Sequence, residues 1–108
     1  MSKRIENELI KYLKERKWDK QHPADSTKSM IIEASELLEN WQWNHDSANK
    51  IKKNGKSFEN VKDELGDVLI YAIELAICFG LDYEEVILNK LEKVKKKYPA
   101  TVVKKNKK

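Results

Sequence analysis

Four carboxylates in two like-spaced pairs are the residues of this chain best suited to chemistry. Glu33 and Glu36 stand three residues apart, and Glu64 and Asp67 repeat the spacing after an interval of twenty-seven residues. Both pairs lie in segments with helical periodicity. At about 100° per residue, Met30, Ile31, Ala34, Leu37, Leu38 and Trp41 form one apolar face, with Glu33 at its border and Glu36 one step further round. Val61, Leu65, Val68, Leu69, Ala72 and Ala76 form a second face. Glu64 and Asp67 take the same border and the same next step there, and Tyr71 lies between them in angle, about one turn on. If the two stripes pack together, four carboxylates face one pocket. At that density they repel and raise one another's pKa, and a bound cation removes the conflict. All-oxygen ligation selects a hard ion, Mg²⁺ or Mn²⁺. No His lies within either pair, which argues against zinc and departs from the Glu-x-x-His pattern of di-iron bundles. Acids at i,i+3 on one helix are more often a solvated face. The same placement on two apolar helices is what favours a metal site.

Those helices belong to one domain of 108 residues. Charged residues make up 37%, with three glycines and two prolines, so long helices with wet outer faces are expected. A core this small often gains stability by oligomerising. The net charge of +4 is uneven: from Asn89 onward there are nine lysines against the single acid Glu92, and the rest of the chain is net acidic. Such a basic end can touch nucleic acid or hold the phosphates of a small ligand, or simply solvate the chain. The one cysteine, Cys78, lies within an apolar helical pattern, so no intramolecular disulfide forms and a buried thiol is expected. With no signal peptide and no apolar run of transmembrane length, a soluble cytoplasmic protein is expected.

The chain reads as four helices. The first runs from about Arg4 to Lys17, its narrow stripe of Ile5, Leu9, Tyr12 and Leu13 suited to lying across other helices or at a subunit contact. A loop follows from Lys17 to Asp25, where Pro23 pushes His22 out of the helical region. Trp18 in this loop can cap a core or stack on a base. Asp25, Ser26 or Thr27 can cap the second helix, which runs to about Trp43. Trp41 continues its stripe, whereas Trp43 falls off it and needs a home in a partner subunit or a ligand pocket. His45 to Ser57 is polar, with Asn54-Gly55 as a turn signal, and reads as a loop able to act as a lid. The third helix starts at Ser57 or Asn60 and runs to about Phe79. Ile73 and Ile77 extend its apolar surface beyond one stripe, so it needs a second neighbour, in a chain this short another subunit. Gly66, between the two acids, costs about 1 kcal/mol of helix propensity, which points to a close approach of a helix or a ligand. Gly80 fits a helix C-terminus and Asp82 caps the fourth helix, Tyr83 to Lys97, along which Lys90, Lys93 and Lys97 share one side. Tyr98-Pro99 ends it, leaving a lysine-rich tail from Ala100 to Lys108.

The order of these features resembles the all-α nucleoside triphosphate pyrophosphohydrolases of the MazG-like superfamily. The matching pattern is Glu33-Ala-Ser-Glu36, the spacer, then Glu64-Leu-Gly-Asp67. The context matches too: Glu-Leu-Leu-Glu-Asn-Trp-Gln-Trp from Glu36, Asp-Val-Leu-Ile-Tyr from Asp67, Gly80-Leu-Asp82, and Lys97-Tyr-Pro99. The resemblance covers about residues 15 to 99. Arg16-Lys-Trp-Asp-Lys-Gln-His22 and the Gln-Trp end of the second helix make the chain most similar to the small dCTP pyrophosphatase branch.

The resemblance implies an all-α, four-helix bundle completed by oligomerisation, as homodimer or homotetramer, with residues 1–99 as the domain and 100–108 as a flexible tail. It implies that Glu33, Glu36, Glu64 and Asp67 hold Mg²⁺, with Mn²⁺ an alternative. Trp18, His22, Trp41, Trp43 and Tyr71 surround the nucleotide, and Lys90, Lys97 and Tyr98 handle phosphates. The expected reaction splits the α–β phosphoanhydride of a (d)NTP, dCTP or an analogue, into monophosphate and pyrophosphate. Glu33 or Glu36 takes the proton. One position departs from the family: Val94 stands where an Asn is usual, so an amide that could reach sugar or phosphate is replaced by an apolar branch. The rival class is a non-catalytic helical oligomer that binds nucleotides or nucleic acid through its basic C-terminal region. Against nucleic acid, no aromatic residue interrupts Thr101 to Lys108, so that tail offers no stacking platform.

Overall fold

A computed structural model describes residues 3–101. It contains five α-helices: α1 (Arg4–Glu15), α2 (Pro23–Leu38), α3 (Ala48–Lys52), α4 (Gly55–Cys78) and α5 (Tyr83–Lys97), with one 3₁₀ turn, Glu39–Trp41, continuing α2. No strand occurs among the described residues. The all-α class matches expectation. The tail expected from Ala100 to Lys108 falls mostly outside the described residues, which stop at Thr101.

α2 and α4 form the central pair and run antiparallel. At one end the Asn60 side-chain amide donates to Asn40 Oδ1 at 2.8 Å; at the other, Cys78 Sγ donates to the Gln21 carbonyl at 3.4 Å. This pairing brings the two acid pairs to the same level. Cys78 is exposed, not buried. It sits in the last turn of α4, level with the chain just before α2.

Capping explains where the helices begin. α2 starts earlier than Asp25, because Pro23 presets a helical φ at the first position and its missing N–H costs nothing there. His22 is extended (φ −72°, ψ 138°) and its Nδ1 accepts from the Ala24 N–H at 3.0 Å, so an imidazole does the work expected of Asp25, Ser26 or Thr27. α4 starts at Gly55, ahead of Ser57, because Asn54 Oδ1 accepts from the Ser57 N–H at 3.2 Å. The segment expected as a loop from His45 to Ser57 carries α3, capped by Ser47 and pinned by Ile51, which is 8% exposed. The Trp41 indole N–H donates to the Asp46 carbonyl at 2.9 Å and fastens this segment to the end of α2.

Two helices end in left-handed turns. Gly80 (φ 66°) closes α4, with Leu81 N–H bonding to the Ala76 carbonyl at 2.9 Å. The same geometry closes α1 at Lys17 (φ 61°), where Trp18 N–H bonds to the Leu13 carbonyl at 2.8 Å. A side chain in that conformation is strained, and the turn folds Trp18 back beside α1.

The core is thin. Among the described residues the buried apolar side chains are Leu9, Leu13 and Ile51. Leu9 and Leu13 come from the narrow stripe of α1, which lies on α4. The chain exposes 9139 Å², whereas a compact monomer of this mass exposes about 6,200 Å². Large apolar side chains are among the exposed ones: Ile31 and Ile32 on α2, Leu65 and Leu69 on α4, and Ile87 and Leu88 on α5. α4 packs on α2 and also takes α1, so a second neighbour comes from within the chain, while Leu65, Leu69 and Ile70 on α4 stay exposed. The close approach expected at Gly66 is not seen among the described residues: an added Cβ meets nothing within 4 Å.

Candidate functional site

The antiparallel pairing carries Glu33 from α2 towards Glu64 and Asp67 from α4. One carboxylate oxygen from each of the three lies within 4.8 Å of the others. Glu33 Oε2 and Glu64 Oε2 are buried and have no hydrogen-bond partner among the described residues. Glu36, one turn beyond Glu33, lies against both Glu33 and Glu64 without joining that trio. The electrostatics record the crowding. The Glu33 pKa is raised to about 7, first by a proton shared with Glu36, then by burial, then by the charges of Glu36, Asp67 and Glu64. Glu64 is raised by burial and then by the charge of Glu36. Each group is held back from ionising because burial and neighbouring carboxylates outweigh any balancing positive charge among the described residues.

These residues fit a hard divalent cation. The donors are all carboxylate oxygens, two of the three residues carry a buried oxygen with no hydrogen-bond partner among the described residues, and their spread suits one ion with bonds of ~2.0–2.6 Å. Unpaired buried carboxylate oxygens are costly in an apolar setting, so the arrangement makes physical sense as a ligand set.

Beside the cluster opens a cavity of about 1260 Å³ between α1 and α4. Asp67 stands at its acidic end, and Trp18, Gln21, Ser29, Tyr71, Glu74 and Tyr83 line it. Tyr71 follows Asp67 by one turn and shares a hydrogen bond with Ser29. Its pKa is raised by burial, then by the charges of Glu74 and Glu33. Trp18 meets the Tyr12 ring edge-on, with centroids 6.1 Å apart. The cavity is larger than most small-ligand pockets and has room for a nucleotide.

Of the residues expected around a nucleotide, Trp18 and Tyr71 line this cavity. His22 and Trp41 do not, and each is engaged locally, in the α2 cap and in the bond to Asp46. Trp43 is 88% exposed. Lys90, Lys97 and Tyr98 lie on or just after α5, exposed and away from the cavity lining, with Lys97 Nζ 5.5 Å from the Tyr98 ring centre. Glu74 and Tyr83 line the cavity without having been singled out in the sequence. A signal existed for Glu74: it is the lone acid in the apolar run from Val68 to Cys78, seven residues after Asp67 on the same stripe. Tyr83 carries none beyond its place behind the Asp82 cap.

Residues 28–108 match the MazG-like family. The chain is 31% identical to human dCTP pyrophosphatase 1 over 88 residues, 80% of this chain and 52% of that protein. It is 30% identical to the rat dCTP pyrophosphatase 1 over 87 residues, 79% and 51% of the two chains. The chain thus spans about half the length of the curated relatives it matches. Its fold is similar to the crystal structure of a pyrophosphatase from Archaeoglobus fulgidus, with a TM-score of 0.77 at 30% identity over 90% of this chain and 91% of that one.

Proposed function

The chain belongs to the MazG-like family, and on that premise we propose that residues 1–99 form an Mg²⁺-dependent nucleoside triphosphate pyrophosphohydrolase acting on dCTP or an analogue. One observation carries this reading: three carboxylate ligand atoms within 4.8 Å of one another, two from residues with an unpartnered buried oxygen, at the end of a cavity with room for a nucleotide. The names of the relatives support the substrate class.

In this reading Glu33, Glu64 and Asp67 hold the metal. Mg²⁺ held there would supply charge neutralisation for the phosphoryl oxygens and a lowered pKa for a bound water. A water oxygen forms a bond to the α-phosphorus, the bridge to the β-phosphate breaks, and pyrophosphate leaves with the bonding electrons. Glu36, beside the trio but outside it, is the better placed of the two candidate bases to take the water's proton, with Glu33 committed to the ligand set. Trp18 and Tyr71 flank the base.

Homo-oligomerisation completes the site. Trp43, Lys90, Lys97 and Tyr98 are exposed and outside the cavity of their own chain, and α5 shows an apolar face to solvent. A second copy seated on that face brings a base-stacking Trp and phosphate-binding lysines to its partner's cavity. No helix among the described residues is long and apolar enough to cross a membrane.

The test is pyrophosphate release with Mg²⁺ across canonical and modified NTPs and dNTPs, with an EDTA control. Metal-dependent release concentrated on dCTP or its analogues is expected. No release from any nucleotide, with the protein folded and Mg²⁺ bound, overturns the enzyme.

A further inference from the structure

Glu74 is a buried acid that the chemistry at the phosphate end does not use. It is 5% exposed, and its Oε2 has no hydrogen-bond partner among the described residues. Burial raises its pKa. Tyr83, from the first turn of α5, is the second such residue: its hydroxyl is buried and likewise without a partner. Both line the cavity that begins at Asp67. An acid and a phenol, each with a buried oxygen that has no partner among the described residues, therefore belong to residues that border the same space. Buried polar groups are normally satisfied; here the partner is to be sought in the cavity's occupant.

The helix sets the distance between this end and the other. Asp67, Tyr71 and Glu74 follow one stripe of α4. Seven residues separate Asp67 from Glu74, two turns with a rise of about 10.5 Å. A nucleotide spans a comparable length between its α-phosphate and the far edge of its base. With phosphate at the carboxylate trio and the base between Trp18 and Tyr71, the outer edge of the base reaches Glu74 and Tyr83.

Resting on the nucleotide reading above, we propose that Glu74 and Tyr83 select a base whose edge presents an exocyclic amine beside an unprotonated ring nitrogen, the edge shared by cytosine and adenine. The Glu74 carboxylate accepts from the amine N–H, and the Tyr83 hydroxyl donates to the ring nitrogen. An oxo base places a carbonyl oxygen where the amine would stand, so lone pairs face the carboxylate. It also offers an N–H where the hydroxyl needs an acceptor. Neither residue touches the phosphates, so their effect falls on the choice between bases.

The experiment compares kcat/KM for dCTP and dUTP with Mg²⁺ in the wild type, Glu74→Leu and Tyr83→Phe. In parallel, titration calorimetry measures binding of the non-hydrolysable α,β-methylene analogues of the two nucleotides. The wild type is expected to favour dCTP. The dCTP to dUTP ratio is expected to fall about tenfold or more in Glu74→Leu, as follows from losing a hydrogen bond to a charged group, and to fall in Tyr83→Phe as well. A buried acid with a merely structural role lowers both substrates alike. If Glu74→Leu does not fold, Glu74→Gln carries the same measurement, because its amide can turn an N–H towards a carbonyl and so erases the preference. A wild type that favours dUTP, or a ratio unchanged in folded variants, overturns the proposal and leaves the pyrophosphohydrolase standing. Selective binding of the dCTP analogue that is lost in Glu74→Leu, without hydrolysis of any nucleotide, overturns the enzyme and supports the base-reading pair.

Discussion

Glu33 and Glu64 sit on antiparallel helices; each has a buried carboxylate oxygen with no partner among the described residues, and each offers a carboxylate oxygen within 4.8 Å of the other's. Two acids so placed disfavour one another's ionised form. Under the proposed metal assignment, the stability of this fold and its binding of a divalent cation are therefore linked.

Mg²⁺ is expected to stabilise the protein directly. At a hundredfold excess over Kd a ligand specific to the folded state adds about 2.7 kcal/mol, which in a domain of this size shifts Tm by roughly 10 °C or more. Asp67→Asn removes one ligand charge. It is expected to abolish most of the Mg²⁺ shift and to lower turnover roughly 100-fold or more, with the helical circular dichroism intact. An undiminished thermal shift and full activity in this variant refute the ligand assignment.

The raised carboxylates give the metal-free protein a definite pH dependence. Glu33 has a folded-state pKa of about 7 against an ordinary value of 4.5. The folded state thus holds a proton that the unfolded chain releases. The stability this group contributes is full below pH 4.5 and is lost as pH rises to about 7. Glu64 and Glu74 shift in the same direction. Thermal melts between pH 4.5 and 8 in EDTA are expected to show this fall, and Glu33→Gln is expected to flatten it. A wild type and a Glu33→Gln variant with parallel profiles refute the coupling.

The exposed face of α5 leads to a test of assembly. Ile87 is 59% exposed near the start of that helix. Ile87→Glu is expected to leave the chain folded and to shift it to the monomer in light scattering after size exclusion. Turnover is expected to fall with it if, as proposed, Trp43, Lys90 and Lys97 serve the cavity of a second copy. An oligomer unaltered by this charge places the contact elsewhere.

Lys17 supplies a local test. Its φ of 61° costs a side chain about 1–2 kcal/mol, partly returned by the extra unfolded-state freedom of glycine. Lys17→Gly is expected to raise stability by about 0.5–1 kcal/mol, measured by urea denaturation. A loss instead shows that the Lys17 side chain, which lines the cavity, makes a contact the fold needs.

What could be read in the sequence was whatever repeats with helical period. The stripes of α2 and α4 fixed the placement of Glu33, Glu64 and Asp67, since side chains three or four apart share a face whatever packs on it. The turn at Gly80 and the cap at Asp82 were equally legible, because their chemistry is local. The start of α2 was not. His22 as a cap depends on one ring nitrogen accepting from Ala24, and imidazole is an uncommon choice there. α3 was missed because five residues carry too little periodicity, and only the burial of Ile51 marks it as ordered. Tyr83 was beyond sequence reasoning altogether: it lines the cavity because the Gly80 turn sets the first turn of α5 beside α4, a fact of three dimensions.

The straight run of α4 from Glu64 to Glu74 makes one helix the gauge of the site. Insertions in the polar stretch before α4, or in the segment joining α1 to α2, alter the surroundings without changing the interval between Asp67 and Glu74. A single residue inserted between Asp67 and Glu74 turns everything after it by about 100°, which carries Glu74 off the cavity while leaving Glu64 and Asp67 in place. On the proposed reading, loop lengths around the site can vary, whereas the length of α4 between Asp67 and Glu74 cannot.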